Sequence, residues 1–146
     1  MTRRHDDVLS LFHQLLTRKG HAARINKAVQ GQSLRPDVEF SFAGTRLMVD
    51  VAVSYDTPHS LEAAFRRKVE KYMVLGRILP LVLGSLGSWH PRNDEIRSLL
   101  NIDGRSWGAF RRKARIAAMR GSMKIIRDHL ASVPAVIPGP CPEDQE

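Results

Sequence analysis

An aspartate in the middle of an apolar strand constrains this chain more than any other residue. Residues 46–54 read Arg-Leu-Met-Val-Asp-Val-Ala-Val-Ser, so Asp50 has apolar neighbours on both sides. A run so rich in Val and other apolar residues reads as a strand buried on both faces. A carboxylate inside it must be paired, protonated or held against a cation, because a lone buried charge is too costly. The preceding segment, Val38-Glu39-Phe40-Ser41-Phe42, alternates strictly and is a second strand, with Asp37 at its opening. Ala43-Gly44-Thr45 between them is a turn, so the two strands form a hairpin. The midpoint between Asp37 and Asp50 falls on Ala43-Gly44. A two-residue turn there sets the two carboxylates directly opposite each other, with Cβ atoms about 4.5–5.5 Å apart. Carboxylates so placed repel, which raises one pKa or calls for a cation. A hard divalent ion bound through oxygen accounts for both positions; Mg²⁺ is the natural choice, with Mn²⁺ as a substitute. The plainer reading pairs Asp50 with an arginine and leaves Asp37 capping a strand edge. Glu39 shares the parity of Asp37 and reads as a solvated strand residue.

The rest of the chain supplies helices around this hairpin. Val8, Leu11, Phe12, Leu15 and Leu16 recur at helical spacing, predicting a helix over residues 5–19 that stops at Gly20. A short strand is expected over residues 25–29, and residues 55–59 read as a loop. Ser60 is the expected N-cap of a helix running to about Leu75 and ended by Gly76. Residues 78–84 read as a short buried strand, with Gly84-Ser85-Leu86-Gly87-Ser88 as its exit. A brief helix follows Pro91, around residues 94–100. Gly104 breaks the chain, and residues 105–131 are helical with an expected interruption near Gly121. The fold class is therefore α/β, one mixed sheet between helices.

In the helix after Ser60, Leu61, Ala64, Phe65, Val69 and Tyr72 form an apolar stripe, and Lys68 lies inside it. Lys71 is at its edge, whereas Arg66, Arg67 and Glu70 read as solvated charge. A lysine on such a stripe either snorkels to solvent or points at the buried end of the hairpin, where it can stabilise charge on a phosphate or orient a water.

The chain has 146 residues, 23 Lys plus Arg against 15 acids, and a net charge of +8. Such an excess favours a polyanionic partner, nucleic acid before an anionic membrane surface; the bland alternative is charge that only keeps the chain soluble. The excess is concentrated in Arg105, Arg111, Arg112, Lys113, Arg115, Arg120, Lys124 and Arg127, a stretch without one acid. Helical periodicity spreads these residues over more than one face, so about half are expected to reach a phosphate backbone. Trp107 and Phe110 read as core, and Ser10, His13 and His21 form no defensible site. The single cysteine, Cys141, excludes an internal disulfide framework and a cysteine zinc site. No apolar run approaches the roughly 20 residues of a membrane span, and no signal-peptide pattern opens the chain. A cytoplasmic or nuclear protein is expected, with one domain over residues 1–132 and a Pro-rich acidic tail over 133–146 read as disordered.

These residues together match a known pattern. Arg35-Pro36-Asp37, twelve intervening residues, Asp50 in an apolar strand, and Lys68-Val69-Glu70-Lys71-Tyr72 on the next helix resemble the PD-(D/E)XK nuclease superfamily. The closer resemblance is to the restriction-like endonuclease domain of site-specific non-LTR retrotransposon proteins, in which the lysine is displaced from two positions after the second acid onto the following helix. Here Ala52 occupies the position two after Asp50. Arg4-His5 and the segment Gly84-Ser85-Leu86-Gly87-Ser88-Trp89 with Pro91-Arg92-Asn93 extend the resemblance over roughly residues 3–130. That family's proteins also carry a reverse transcriptase and zinc-knuckle cysteines, of which this sequence has neither.

The resemblance implies a restriction-endonuclease-like core of αβββαβ type with extra C-terminal helices. It also implies a metal-dependent DNA endonuclease localised to the nucleus. Asp37 and Asp50 would hold the metal with a backbone carbonyl near Val51. Lys68 and Lys71 would be basic contacts, and Tyr72 would orient Lys68 or pack behind it. Arg35 and the basic helix would contact DNA. RNA as the nucleic acid and a homodimer are compatible with the sequence. His5 reads as an exposed residue at a helix start or as a visitor to the site. The alternative is a catalytically idle nucleic-acid-binding remnant of a mobile element.

Overall fold

A computed structural model describes residues 3–26 and 35–132. The elements run α1 (Arg3–Arg18), β1 (Arg24–Ile25), β2 (Val38–Phe42), β3 (Thr45–Ser54), α2 (Pro58–Tyr72), β4 (Ile78–Gly84), α3 (Asp94–Leu100) and α4 (Gly104–Ser132), with short 3-10 turns at Met73–Leu75 and Pro91–Asn93. The sheet is four-stranded and mixed, in the order β1-β2-β3-β4. The first three strands are antiparallel, and β3 pairs parallel with β4 through α2. This is the α/β arrangement expected from the sequence.

The period-two pattern decides what each face of the sheet meets. Val38 and Phe40 of β2, Leu47, Val49 and Val51 of β3, and Leu79, Leu81 and Leu83 of β4 are buried with Val8, Phe12, Leu15 and Leu16 of α1 and Trp107, Phe110 and Ala114 of α4. The opposite face carries Val82 against Leu61, Ala64 and Phe65 of α2, with Ala52 at its margin. Asp50 shares the parity of Ala52, so it looks toward α2. Pro80 is tolerated inside β4 because β4 is an edge strand. The open edge of that strand is closed by Asn93, whose side chain accepts from the Val82 N–H at 2.9 Å and donates to the Val82 carbonyl at 2.8 Å.

Several boundaries differ from the sequence expectation. The hairpin turn is the two-residue turn expected, with Ala43 and Gly44 both left-handed at φ 50° and 78°. Thr57, not Ser60, caps α2: Pro58 takes the first helical position, which it favours, and the Ser60 N–H donates to the Thr57 hydroxyl. Pro58 and His59 are therefore helical rather than loop. Val69 is 38% exposed, outside the stripe to which it was assigned. Gly104 does not break the chain but begins α4. The break comes from Asn101, left-handed at φ 53°, and Asp103 then caps α4 through the Ser106 N–H. The helix α4 is continuous through Gly121, where the missing side chain makes room for Arg4 as α1 crosses. The short first strand is Arg24–Ile25; residues 27–29 of the expected strand, and the tail over 133–146 with Cys141, lie outside the described residues. Among the described residues no helix is long and apolar enough to cross a membrane.

Candidate active site

Unequal strand lengths create the site. β3 is twice as long as β2, and their pairing runs from Phe42↔Thr45 to Val38↔Val49. One step further, the same register puts Asp37 opposite Asp50. There β2 ends, because Pro36 has no N–H to continue the ladder. The segment is tied down instead by Asn26, whose amide donates to the Pro36 carbonyl at 2.8 Å and whose backbone N–H donates to the Asp37 carbonyl at 2.9 Å. The two aspartates then clasp each other's strand. The Asp37 N–H donates to Asp50 Oδ1 at 3.0 Å, and the Val51 N–H donates to Asp37 Oδ2 at 2.8 Å. The Val51 carbonyl lies on the same edge as its N–H, beside the carboxylates.

Lys68 and His5 meet this pair from two different helices. Lys68 Nζ, on α2, lies 2.5 Å from Asp50 Oδ2. His5 Nε2, on α1, lies 3.0 Å from Asp37 Oδ2, and its Nδ1 is 3.2 Å from Asp6. The exposed reading of His5 is thereby overturned: its side chain is 14% exposed. Lys68 does not snorkel to solvent, and the partner of Asp50 is this lysine rather than an arginine. Burial raises the pKa of Asp50, the charge of Asp37 raises it further, and Lys68 only partly offsets both, leaving it at about 6. Burial also works against ionisation of Asp37, but hydrogen bonds from His5 and Val51 outweigh it and hold the carboxyl below its usual range. Burial lowers the pKa of His5, and the bond and charge of Asp37 more than reverse this. One acid is thus kept ionised and the other strained toward protonation.

The donor set suits a hard cation: two facing carboxylates and a backbone carbonyl, all oxygen. Among the described residues no group of three or more His, Cys, Asp or Glu side chains forms a metal cluster. Mg²⁺ sites need none, since that ion is commonly held by one or two carboxylates together with waters and substrate phosphates. The repulsion that raises the pKa of Asp50 is what such an ion would relieve.

Tyr72 is buried, and its hydroxyl donates to the Arg35 carbonyl at 3.1 Å rather than meeting Lys68. Burial, with Asp50 and Asp37 nearby, raises its pKa far above the usual phenol value. It acts as a strut under Arg35-Pro36-Asp37. Lys71 Nζ lies 5.2 Å from the Tyr72 ring and borders the groove beside Lys68. The basic run on α4 is divided. Arg115 donates to the Gly87 carbonyl at 2.6 Å, Arg111 lies over Trp89 at 5.3 Å, and Lys124 pairs with Asp128 at 2.9 Å. Arg105, Arg112, Lys113, Arg120 and Arg127 are left without an ion pair among the described residues. None of the eight lines the groove next to the carboxylates, which takes its cations from Arg4, Arg67, Lys68 and Lys71. Trp107 and Phe110 are core, as expected.

Sequence reasoning missed Asn26 and Arg67 and ranked His5 as exposed. The pairing of Arg4-His5 with the Pro-Asp segment was the available signal for His5. Nothing local marks Asn26.

The fold and this cluster define a mixed α/β protein with an acid pair and a lysine at the end of a short strand. The chain is similar to the retrovirus-related Pol polyprotein from type-1 retrotransposable element R2 of Popillia japonica, 29% identical over 117 residues. The match covers 68% of this chain and 24% of that polyprotein, so the chain spans about a quarter of the relative's length. No family model matches the chain.

Proposed function

We propose that this chain is a metal-dependent DNA endonuclease of mobile-element origin, with the restriction-endonuclease-like fold of the PD-(D/E)XK superfamily. The observation that carries the reading is Lys68 Nζ at 2.5 Å from Asp50, with Asp50 in register opposite Asp37. Similarity to a retrotransposon Pol polyprotein supports it independently. The intact acid pair and lysine favour an active site over an idle remnant.

Asp37, Asp50 and the Val51 carbonyl would hold Mg²⁺ or Mn²⁺. When bound, the ion lowers the pKa of a water and polarises the scissile phosphate. The residues of the chain do the rest. Lys68 keeps an ammonium beside the reacting phosphate, where negative charge grows in the transition state. His5 holds the Asp37 carboxylate in place through the hydrogen bond that its Nε2 donates. Tyr72 and Asn26 keep the Arg35-Pro36-Asp37 segment in register. The free cations of α4 supply sequence-independent phosphate contacts, which position a duplex without reading it. DNA is the partner and the nucleus the place of action, with the catalytic domain over residues 1–132.

Incubation with supercoiled plasmid tests the reading. Nicking that needs Mg²⁺ or Mn²⁺ and vanishes in Asp50→Ala is expected; salt-sensitive binding without metal-dependent nicking would sink it.

A further inference from the structure

Beside the carboxylates lies a groove of about 860 Å³. Its floor is β3 beyond the end of β2, at Ala52, Val53 and Ser54, and its walls are α2 and the later turns of α4. Arg4, His59, Arg67, Lys68 and Lys71 line it, and among the described residues no Asp or Glu does. Lys68 belongs both to the groove and to the acid pair, so the groove leads into the site. Arg67 and Lys71 are four residues apart and thus share one face of α2.

Tyr55 lines the same groove and is 80% exposed. The chain around it is held firmly. The Ser85 N–H donates to the Ser54 carbonyl at 2.8 Å on one side. On the other, the Asp56 carboxylate accepts from the Leu86 N–H at 2.8 Å, the Ser88 N–H at 3.0 Å and the Ser88 hydroxyl. A tyrosine ring on a braced backbone, presented to a cationic groove and without a ring-stacking partner among the described residues, is built to receive a flat partner. Leu86, 65% exposed, adds apolar surface beside it.

We propose that this groove is the path of an unpaired nucleic-acid strand, with a base stacked on Tyr55 and phosphates met by Arg67 and Lys71. The direction of that path toward the metal site rests on the nuclease reading; the binding itself does not. Stacking tolerates any base, because every base has a π-face, and phosphate contacts make the affinity salt-dependent. A duplex keeps its bases stacked inside and cannot offer one to Tyr55. The groove therefore separates single strands from duplex by the stacking contribution alone.

Fluorescence anisotropy in EDTA, with the full chain and labelled oligonucleotides, tests this without catalysis. Tyr55→Ala should weaken single-stranded DNA binding about tenfold or more. Tyr55→Phe should retain it, and duplex affinity should change less than about twofold for both variants, as expected where no base is free to stack. Arg67→Ala with Lys71→Ala should weaken single-strand binding and flatten its dependence on salt. A ribo-oligonucleotide of the same sequence should bind within a few-fold of the DNA strand, since neither contact reads the 2′-hydroxyl. The proposal is overturned if Tyr55→Ala binds single strands like the parent chain, if single-strand and duplex affinity fall together, or if RNA alone binds. Plasmid nicking read separately keeps the two ideas apart: a chain that binds single strands through Tyr55 but never nicks would refute only the nuclease reading.

Discussion

Asp50 lies inside β3 and Asp56 two residues beyond its end, yet their surroundings act on them in opposite directions. Burial raises the Asp56 pKa, but the Ser88 hydroxyl and the Ser88 and Leu86 N–H groups together outweigh it and lower the pKa below the usual carboxylate range. Asp50 is buried, faces another carboxylate, and is raised to about 6 with only Lys68 in compensation. One aspartate is spent on the fold: it fastens the Gly84–Ser88 loop, and Gly84 is a glycine because a side chain there would collide with Asp56. The other is held at a cost to the fold, which is why the proposed function is built on it.

The comparison breaks first at activity. Asp50→Ala should lower metal-dependent nicking by about 10³-fold or more, since the ion's contribution is several kcal/mol. Lys68→Ala should lower it by about 10²-fold with substrate affinity little changed, because the ammonium acts mainly on charge that develops in the transition state. A Lys68→Ala variant that nicks at the parental rate would leave that residue no role beyond balancing Asp50.

Stability comes next, and here the two aspartates should differ in sign. Asp56→Ala removes the acceptor of two backbone N–H groups, one exposed and one part-buried, and should destabilise the chain by about 1 kcal/mol in a urea melt. Asp50→Asn relieves the carboxylate repulsion and should stabilise the metal-free chain by about 1–3 kcal/mol at pH 7.5. The sign follows from linkage. An acid whose folded pKa lies above its ordinary value binds its proton more tightly in the fold. Its stabilising effect is complete below about pH 4 and is lost as pH rises through about 6. The advantage of Asp50→Asn should therefore shrink toward pH 4.5. For Asp56, whose folded pKa is depressed, the contribution is present above the ordinary carboxylate pKa and is lost as pH falls through the folded value. Equal gaps at pH 4.5 and 7.5 for Asp50→Asn would contradict the assignment.

Smaller effects sharpen the same contrast between charges in use and charges in solvent. Lys124 pairs with Asp128 on the exposed face of α4 at 2.9 Å, and Lys124→Ala should change stability by less than about 0.5 kcal/mol. Gly121→Ala should cost more than that, because its side chain would meet Arg4 where α1 crosses α4.

The hairpin was legible in the sequence because its information is local. Alternation, a left-handed turn at Ala43-Gly44 and the symmetric placement of Asp37 and Asp50 about that turn determine the register. Lys68 was legible as a polar residue on an apolar face. Gly121 misled, since a glycine that breaks a helix and one that admits a neighbouring helix look alike until the neighbour is placed. Ser60 read as the cap because its residue type suits one, but Pro58, which favours the first helical position, moves the cap to Thr57. His5 and Asn26 reach the site only through tertiary packing, from α1 and from the end of β1, so no periodicity announces them. The basic run on α4 was the loudest signal in the composition. The groove at the site instead draws on Arg4, Arg67, Lys68 and Lys71, which come from two separate helices and form no run together.

The central claim is that Asp37 and Asp50 form a metal site. A Mn²⁺ titration followed by water-proton relaxation tests it most directly, with the parent chain and Asp50→Asn side by side. The account predicts one bound Mn²⁺ per parent chain, displaced by Mg²⁺, and none in the variant. Equal binding by both, or no binding by the parent chain, would contradict it.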